Sequence, residues 1–194
     1  MQKLESKALI FAAMMASLGN ALSFLSTQLA PIAPNIPLGP VQVSLALDLS
    51  HLSTFIAALF GGPVVGGLTG LVGGLVAAFE FGFSKGNLIT GFGLPIGKAL
   101  TGVTAGFVFD KLYRETSLSI IASTVISYIP EGLLTLVLFM FLLPWYIALP
   151  SSIATAIGVQ IIVKAFIEMI ILGALLIVIN RNLGFSNYVK NYFR

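Results

Sequence analysis

Six ionisable side chains stand inside otherwise apolar stretches of this sequence: Asp48, Glu80, Lys98, Glu131, Lys164 and Glu168. His51 follows Asp48 by one helical turn. A charge at the centre of a bilayer costs about 2.5–3.5 kcal/mol on insertion scales, so such residues pair with one another, face a polar cavity, or do both. Lys164 and Glu168 are four apart and share a helical face, which allows partial neutralisation and makes Glu168 a natural counter-ion. Lys98 and Lys164 as cations, with Glu131 as an anion, suit a small polar solute that carries both acceptors and donors. Tyr128, Gln160, Asn87 and Asn20 add neutral polar groups. Two readings stay open: a buried ion-pair network that fixes helix packing, and a polar cavity built from Asp48, His51, Glu80, Lys98, Tyr128, Glu131, Gln160 and Lys164.

Catalytic patterns are missing. There is no P-loop, so the chain does not itself hydrolyse ATP. HExxH and GxSxG do not occur. Cysteine is absent and histidine occurs once, which removes thiolate chemistry and a histidine-based metal site. Asp48, Ser50 and His51 crowd a single turn, where capping of a helix explains them better than a triad, and Asp48 has the chemistry of an N-cap. No enzyme activity, metal or cofactor is expected.

The elements that must position these residues are membrane spans. The chain has 194 residues, of which 57% are hydrophobic and 9% charged, and a mean hydropathy of +1.02. A soluble domain carries about 25% charged residues because its surface meets water. Six apolar segments are predicted: Ala8–Leu29, Leu45–Phe60, Val64–Phe81, Thr90–Leu112, Leu118–Leu143 and Ser152–Asn180, forming one all-α bundle over residues 1–194. The first is too long for a signal-peptide core and reads as a retained span. Gly61-Gly62-Pro63, Ser84–Asn87, Arg114–Ser117 and Pro150–Ser152 supply the loops. Pro130 is expected to bend the fifth span. The connection Ala30–Val43 contains four prolines. It cannot be helical, and its length fits either a lid or a plain connector.

Charge orients the bundle. With the N-terminus cytoplasmic and six spans, Lys3, Lys7, Lys111, Arg114, Arg181, Lys190 and Arg194 fall inside, and Lys85 alone falls outside. This is a positive-inside distribution with both termini cytoplasmic. The net charge of +3 therefore sets topology and gives no reason to expect nucleic acid. Trp145 and Tyr146 then mark the outer interface. At 1.5 Å per residue, Lys98 lies roughly 12 Å and Lys164 roughly 18 Å below the outer starts of their spans. Asp48 and His51 are expected near the outer end of the second span, Glu80 at the outer end of the third, and Glu131 near the middle of the fifth.

Small residues recur every fourth position: Ala8, Ala12 and Ala16, with Ala13, Ser17 and Ala21 alongside; Gly62, Gly66, Gly70, Gly74 and Ala78; Gly93 and Gly97; Gly102 and Gly106. That spacing lets another helix backbone approach closely. For the third and fourth spans the neighbour is expected within the bundle. For the first it is either the bundle or a separate membrane partner.

Together these features resemble the S components, the substrate-binding membrane subunits of energy-coupling factor (ECF) vitamin transporters. The residues that carry the resemblance are Ala8-xxx-Ala12-xxx-Ala16, the long first loop, the stretch Leu47–Val76 with its Asp-Leu-Ser and Gly-Pro elements, and Gln160 with Lys164 in the sixth span. The resemblance implies a six-helix bundle that binds a vitamin or related micronutrient near its outer face beneath the first loop. It implies docking through Ala8, Ala12 and Ala16 onto a transmembrane coupling subunit that two cytoplasmic ATPases drive. It also makes Gln160 and Lys164 ligand contacts, although riboflavin-type members commonly carry asparagine and lysine at closer spacing. The rival reading from the charges alone is a stand-alone secondary transporter or channel, with Lys98, Glu131, Lys164 and Glu168 as a proton relay.

Overall fold

The computed structural model describes residues 5–33, 35–38, 41–44, 47–112, 116–147 and 150–193. Lys3, Arg114 and Arg194 of the charge count, and Pro34, Gly39 and Pro40 of the first loop, lie outside them. The helices are α1 (Ser6–Leu29), α2 (Ser50–Gly73), α3 (Leu75–Phe81), α4 (Leu88–Leu112), α5 (Ser117–Val137), α6 (Leu143–Ile147), α7 (Ser151–Arg181) and α8 (Leu183–Phe193). A π-helical turn, Leu138–Leu142, joins α5 to α6. Because α5 runs through Pro130 as one helix, the stretch from Ser117 to Ile147 is helical throughout. Among the described residues, five helical stretches are long and apolar enough to cross a bilayer: Ser6–Ile32, Ser50–Lys85, Leu88–Leu112, Ser117–Tyr146 and Ser151–Arg181. Their large apolar side chains, Ile10, Phe92, Leu133 and Val163 among them, point outward, as lipid-facing helices require.

The second of these stretches doubles back. Gly62 has φ 78° and ψ −170°, a conformation that an L side chain resists, and Pro63 cannot donate a helical hydrogen bond. The reversal shows in the neighbours of Gly19. A Cβ placed there would stand 3.6 Å from both the Ser50 carbonyl oxygen and Gly73 Cα. On one straight helix those two residues would be roughly 34 Å apart. The Gly-Gly-Pro loop read from sequence is therefore a sharp turn between two antiparallel halves, Ser50–Gly61 and Pro63–Gly73, and α3 continues the second half outward.

The glycine stripes meet one another inside the bundle. A side chain at Gly66 would overlap the backbone of Gly102, one at Gly70 that of Lys98, one at Gly74 that of Pro95, and one at Gly106 that of Pro63. The second half of α2 and helix α4 thus run antiparallel with their backbones nearly touching, the close approach that small residues permit in a membrane. The break at Gly74 is mended from α1. Asn20 Nδ2 donates to Val72 O at 2.9 Å, and its Oδ1 accepts the Val76 N–H at 3.0 Å. Asn20, a candidate cavity residue from sequence, is used up in this repair.

Two elements were not foreseen. The first loop is not all irregular: Ala30–Ile32 forms a 3-10 turn, and Asn35–Leu38 pairs antiparallel with Val41–Ser44 as strands β1 and β2, in register Asn35 to Ser44. Strand β2 lies beside α7. The all-α expectation therefore holds for the bundle and not for this hairpin. After α7, α8 folds back onto the start of α1 and the Gly62 turn of α2. Phe193 meets Phe11 at 5.1 Å, Phe185 meets Phe60 at 5.9 Å, and Tyr192 Oη donates to Lys7 O at 3.2 Å.

Candidate functional site

The first half of α2 sets the depth of the site. From Ser50 to Gly61 it rises about 18 Å, well short of a hydrocarbon core of about 30 Å. Starting from the turn at Gly62, it ends partway across the bundle. Asp48 and His51 sit at the end of this half-helix away from the turn, the end the sequence reading gave them. They stand beside Glu131, in the middle of α5.

The chain enters α2 through three consecutive backbone N–H groups, each taken by a different side chain. Asp48 N donates to Glu168 Oε1 at 3.0 Å, Leu49 N to Ser26 Oγ at 3.3 Å, and Ser50 N to Asp48 Oδ1 at 3.0 Å. The last is an Asx turn just before the N-cap residue Leu49, so Asp48 anchors the start of α2 from one residue outside the cap position where it was expected. These bonds tie α7 and α1 to the start of α2 and hold the short helix at its depth.

The charged side chains close into matched pairs. Lys98 Nζ lies 3.2 Å from Asp48 Oδ2 and also donates to Ser50 Oγ. His51 Nε2 lies 3.0 Å from Glu131 Oε2, which accepts a second bond from Thr101 Oγ1 at 2.5 Å. Lys164 Nζ lies 3.6 Å from Glu168 Oε1. Pairing of this kind is what keeps a buried charge tolerable.

This network floors a cavity of about 430 Å³, a size that admits a small organic solute. Asp48, His51, Lys98, Tyr128, Glu131 and Lys164 all line it, as do Glu168 and Asn87. Apolar walls come from Ala77, Phe81, Leu94, Phe139, Leu143, Ile161 and Met169, and a polar edge comes from Ser23, Ser26 and Thr27 of α1 and Thr90 of α4. Ala30 brings the start of the first loop to the wall. Asn87 also caps α4, accepting the Thr90 N–H at 3.2 Å. Tyr128 packs edge-on between His51, at 6.0 Å, and Phe166, at 5.8 Å.

Two of the residues singled out from sequence are not on this wall. Glu80 is half-buried on α3, and Gln160 is half-buried on α7, one turn before Lys164 and off the lining face. Glu168, read as a counter-ion, is both counter-ion and wall. Ser26 and Thr101 carried no signal in the sequence, since hydroxyls on apolar helices are common.

The expected docking face points inward. Ala12 is 5% and Ala16 1% exposed. Thr69 Oγ1 of α2 donates to Ala12 O at 3.4 Å, and Ala16 backs onto Gly73. Ala8 is half-buried beside the aromatic cluster of α8. This alanine row serves the protein's own α1–α2 contact, and the outward small residues of α1 are Ala13, Ser17 and Ala21.

The whole chain has counterparts among solved structures. It is similar to the S component of a bacterial ECF transporter, with 26% identity, a TM-score of 0.59, and coverage of 95% of this chain and 98% of that one. It shares its fold with an S component for biotin from an ECF-type ABC transporter, at 20% identity and a TM-score of 0.58, with coverage of 97% and 98%. No curated protein matches it. The sequence itself matches the family described as ECF transporter, substrate-specific component, over residues 7–180. A match across nearly all of a chain that folds as an S component and holds a charged, solute-sized cavity places it plainly: the protein belongs to the ECF substrate-specific components and is the substrate-binding subunit of such a transporter.

Proposed function

We propose that this subunit captures a vitamin-like small polar solute from the outer side of the cell membrane, in the 430 Å³ cavity above the Asp48–Lys98 and His51–Glu131 pairs. Asp48, His51, Lys98, Tyr128, Glu131 and Lys164 contact or orient the solute, and Glu168 holds Lys164 and Asp48 in place. The observation that carries this reading is the convergence of four elements on one buried, charge-matched floor beneath an apolar chamber. The reversal at Gly62 supports six crossings, and the positive-inside distribution of lysine and arginine supports cytoplasmic termini. The hairpin β1–β2 acts as the lid: the loop that carries it leaves the cavity wall at Ala30, and β2 lies against α7. Transfer inward is driven by a transmembrane coupling subunit and two cytoplasmic ATPases, as in the family. Docking uses the outward side of α1, where Ala13, Ser17 and Ala21 admit a close neighbour.

Acid extraction of the purified protein followed by mass spectrometry tests the binding role directly. A stoichiometric small molecule is expected. An empty protein that also ignores a vitamin panel would sink the reading, and uptake into proteoliposomes without any ATPase would replace it with the secondary-transporter alternative.

A further inference from the structure

Of the acidic and basic side chains that line the cavity, a solute can reach two. His51, Glu131, Lys98 and Glu168 are each less than a tenth exposed at the side chain, whereas Asp48 is 33% and Lys164 30% exposed. One is an anion and the other a cation. Their ion-pair partners are Lys98 and Glu168, not each other. A single oxygen stands between them: Glu168 Oε1 accepts the Asp48 N–H at 3.0 Å and lies 3.6 Å from Lys164 Nζ. The cavity thus presents neighbouring opposite charges that no direct contact bridges.

Both groups keep hydrogen-bonding capacity. Asp48 Oδ1 accepts the Ser50 N–H at 3.0 Å, and Oδ2 accepts from Lys98 Nζ at 3.2 Å. A carboxylate oxygen has two lone pairs, so each can accept once more. Lys164 Nζ carries only donors. Its partner among the described residues, Glu168 Oε1, stands beyond hydrogen-bond reach at 3.6 Å and is already engaged by the Asp48 N–H. A solute head that fills the gap takes both groups out of water. A head that serves only one leaves the other unpaired, and polar sites reject the wrong solute by that penalty.

We propose that the solute presents a two-sided head to the gap between Asp48 and Lys164: a hydrogen-bond donor, N–H or ammonium, for the Asp48 carboxylate, and an acceptor, carboxylate or carbonyl, for the Lys164 ammonium. An amino acid has such a head, and so has a ring with adjacent N–H and C=O groups. A simple carboxylic acid or amine has not. The apolar walls at Phe81, Leu94, Phe139 and Ile161 take the rest of the molecule. This rests on the reading of the cavity as the substrate site. Asp48 and Lys164 thereby determine specificity, and Lys98 and Glu168 behind them fix their positions.

Isothermal titration of the detergent-purified protein, freed of bound solute, tests this with probes that share a body and differ in the head. Tryptophan carries both functions there, indole-3-propionate only the acceptor and tryptamine only the donor. Riboflavin, biotin and pantothenate extend the two-sided set, and lipoate extends the acceptor-only set. At least one two-sided probe is expected to bind, more tightly than every one-sided probe by roughly tenfold or more. Lys164→Met keeps the stem and removes the donors, and should weaken that probe by a similar factor. Lys164→Arg restores N–H donors and should lose less. A one-sided probe as tight as the best two-sided one, wild-type affinity in K164M, or equal losses in K164M and K164R overturns the inference and leaves the binding role intact. If K164M does not fold, the probe comparison on the unmodified protein decides alone. If no probe binds, the extracted molecule decides: a solute with donor and acceptor side by side supports the inference, a solute with only one of them overturns it, and no solute at all removes the binding role and this inference with it.

Discussion

His51 Nε2 and Glu131 Oε2, eighty residues apart in sequence, stand 3.0 Å from each other and join the first turn of α2 to the middle of α5. Removing either partner leaves the other buried without its match. Glu131→Ala is therefore expected to cost about 3 kcal/mol of stability. Glu131→Gln, which keeps a hydrogen-bond acceptor, should cost less. Thermal unfolding in detergent followed by tryptophan fluorescence from Trp145 measures both. Equal melting temperatures for E131A and wild type would show that the pair does not hold α2 in place.

The turn at Gly62 rests on a positive φ of 78°. Gly62→Ala introduces a side chain into a backbone conformation that essentially only glycine adopts, at a cost of about 1–3 kcal/mol. Nothing stands within 4 Å of the new methyl, so the loss reports backbone strain alone. A parallel Gly106→Leu variant meets the Pro63 backbone and should fail to fold. Folding yield by size-exclusion chromatography separates the two outcomes.

Asn20 spans the interruption between α2 and α3 with one donor and one acceptor. Asn20→Ala leaves the Val72 carbonyl and the Val76 N–H short of partners, a loss of about 1–3 kcal/mol. Faster amide exchange should appear around Gly74 and not in α7. Unchanged exchange there would contradict the splice.

Helix α1 has two small-residue faces with different duties. Ala16→Leu forces bulk into a position that is 1% exposed and should lower the melting temperature, since overpacking costs about 1–3 kcal/mol. Ala13→Leu and Ser17→Leu lie outward and should leave the isolated subunit stable while weakening its copurification with the coupling subunit. The opposite pattern would return docking to the alanine row.

Asp48 matches Lys98 and holds the start of α2. Asp48→Asn keeps an acceptor for the Ser50 N–H but removes the charge that faces Lys98, so it should lower the melting temperature at neutral pH. Asp48→Ala loses both and should lower it further. Equal melting temperatures for D48A and wild type would show that Asp48 does not anchor α2.

Some of this molecule was legible without coordinates because membrane insertion is read from composition. Apolar runs of span length and the charges stranded within them depend only on residue type and order. The Gly-Gly-Pro turn and the glycine stripes of the third and fourth spans were legible for the same local reason, since backbone freedom and missing side chains are properties of single residues. Which residues meet was not. A shift of two residues on a helix turns a side chain by about 200°, so the burial of Ala12 and Ala16, against the exposure of Ala13 and Ser17, depended on how α1 rolls against α2. Likewise, the depth of Asp48 and His51 depended on where the hairpin through Gly62 is anchored, and Gln160 and Glu80 missed the cavity by rotation and height rather than by chemistry. The residue types determined that charges would gather inside this membrane bundle. Only the packing of the helices decided that Lys98 meets Asp48, His51 meets Glu131 and Lys164 meets Glu168 around one cavity.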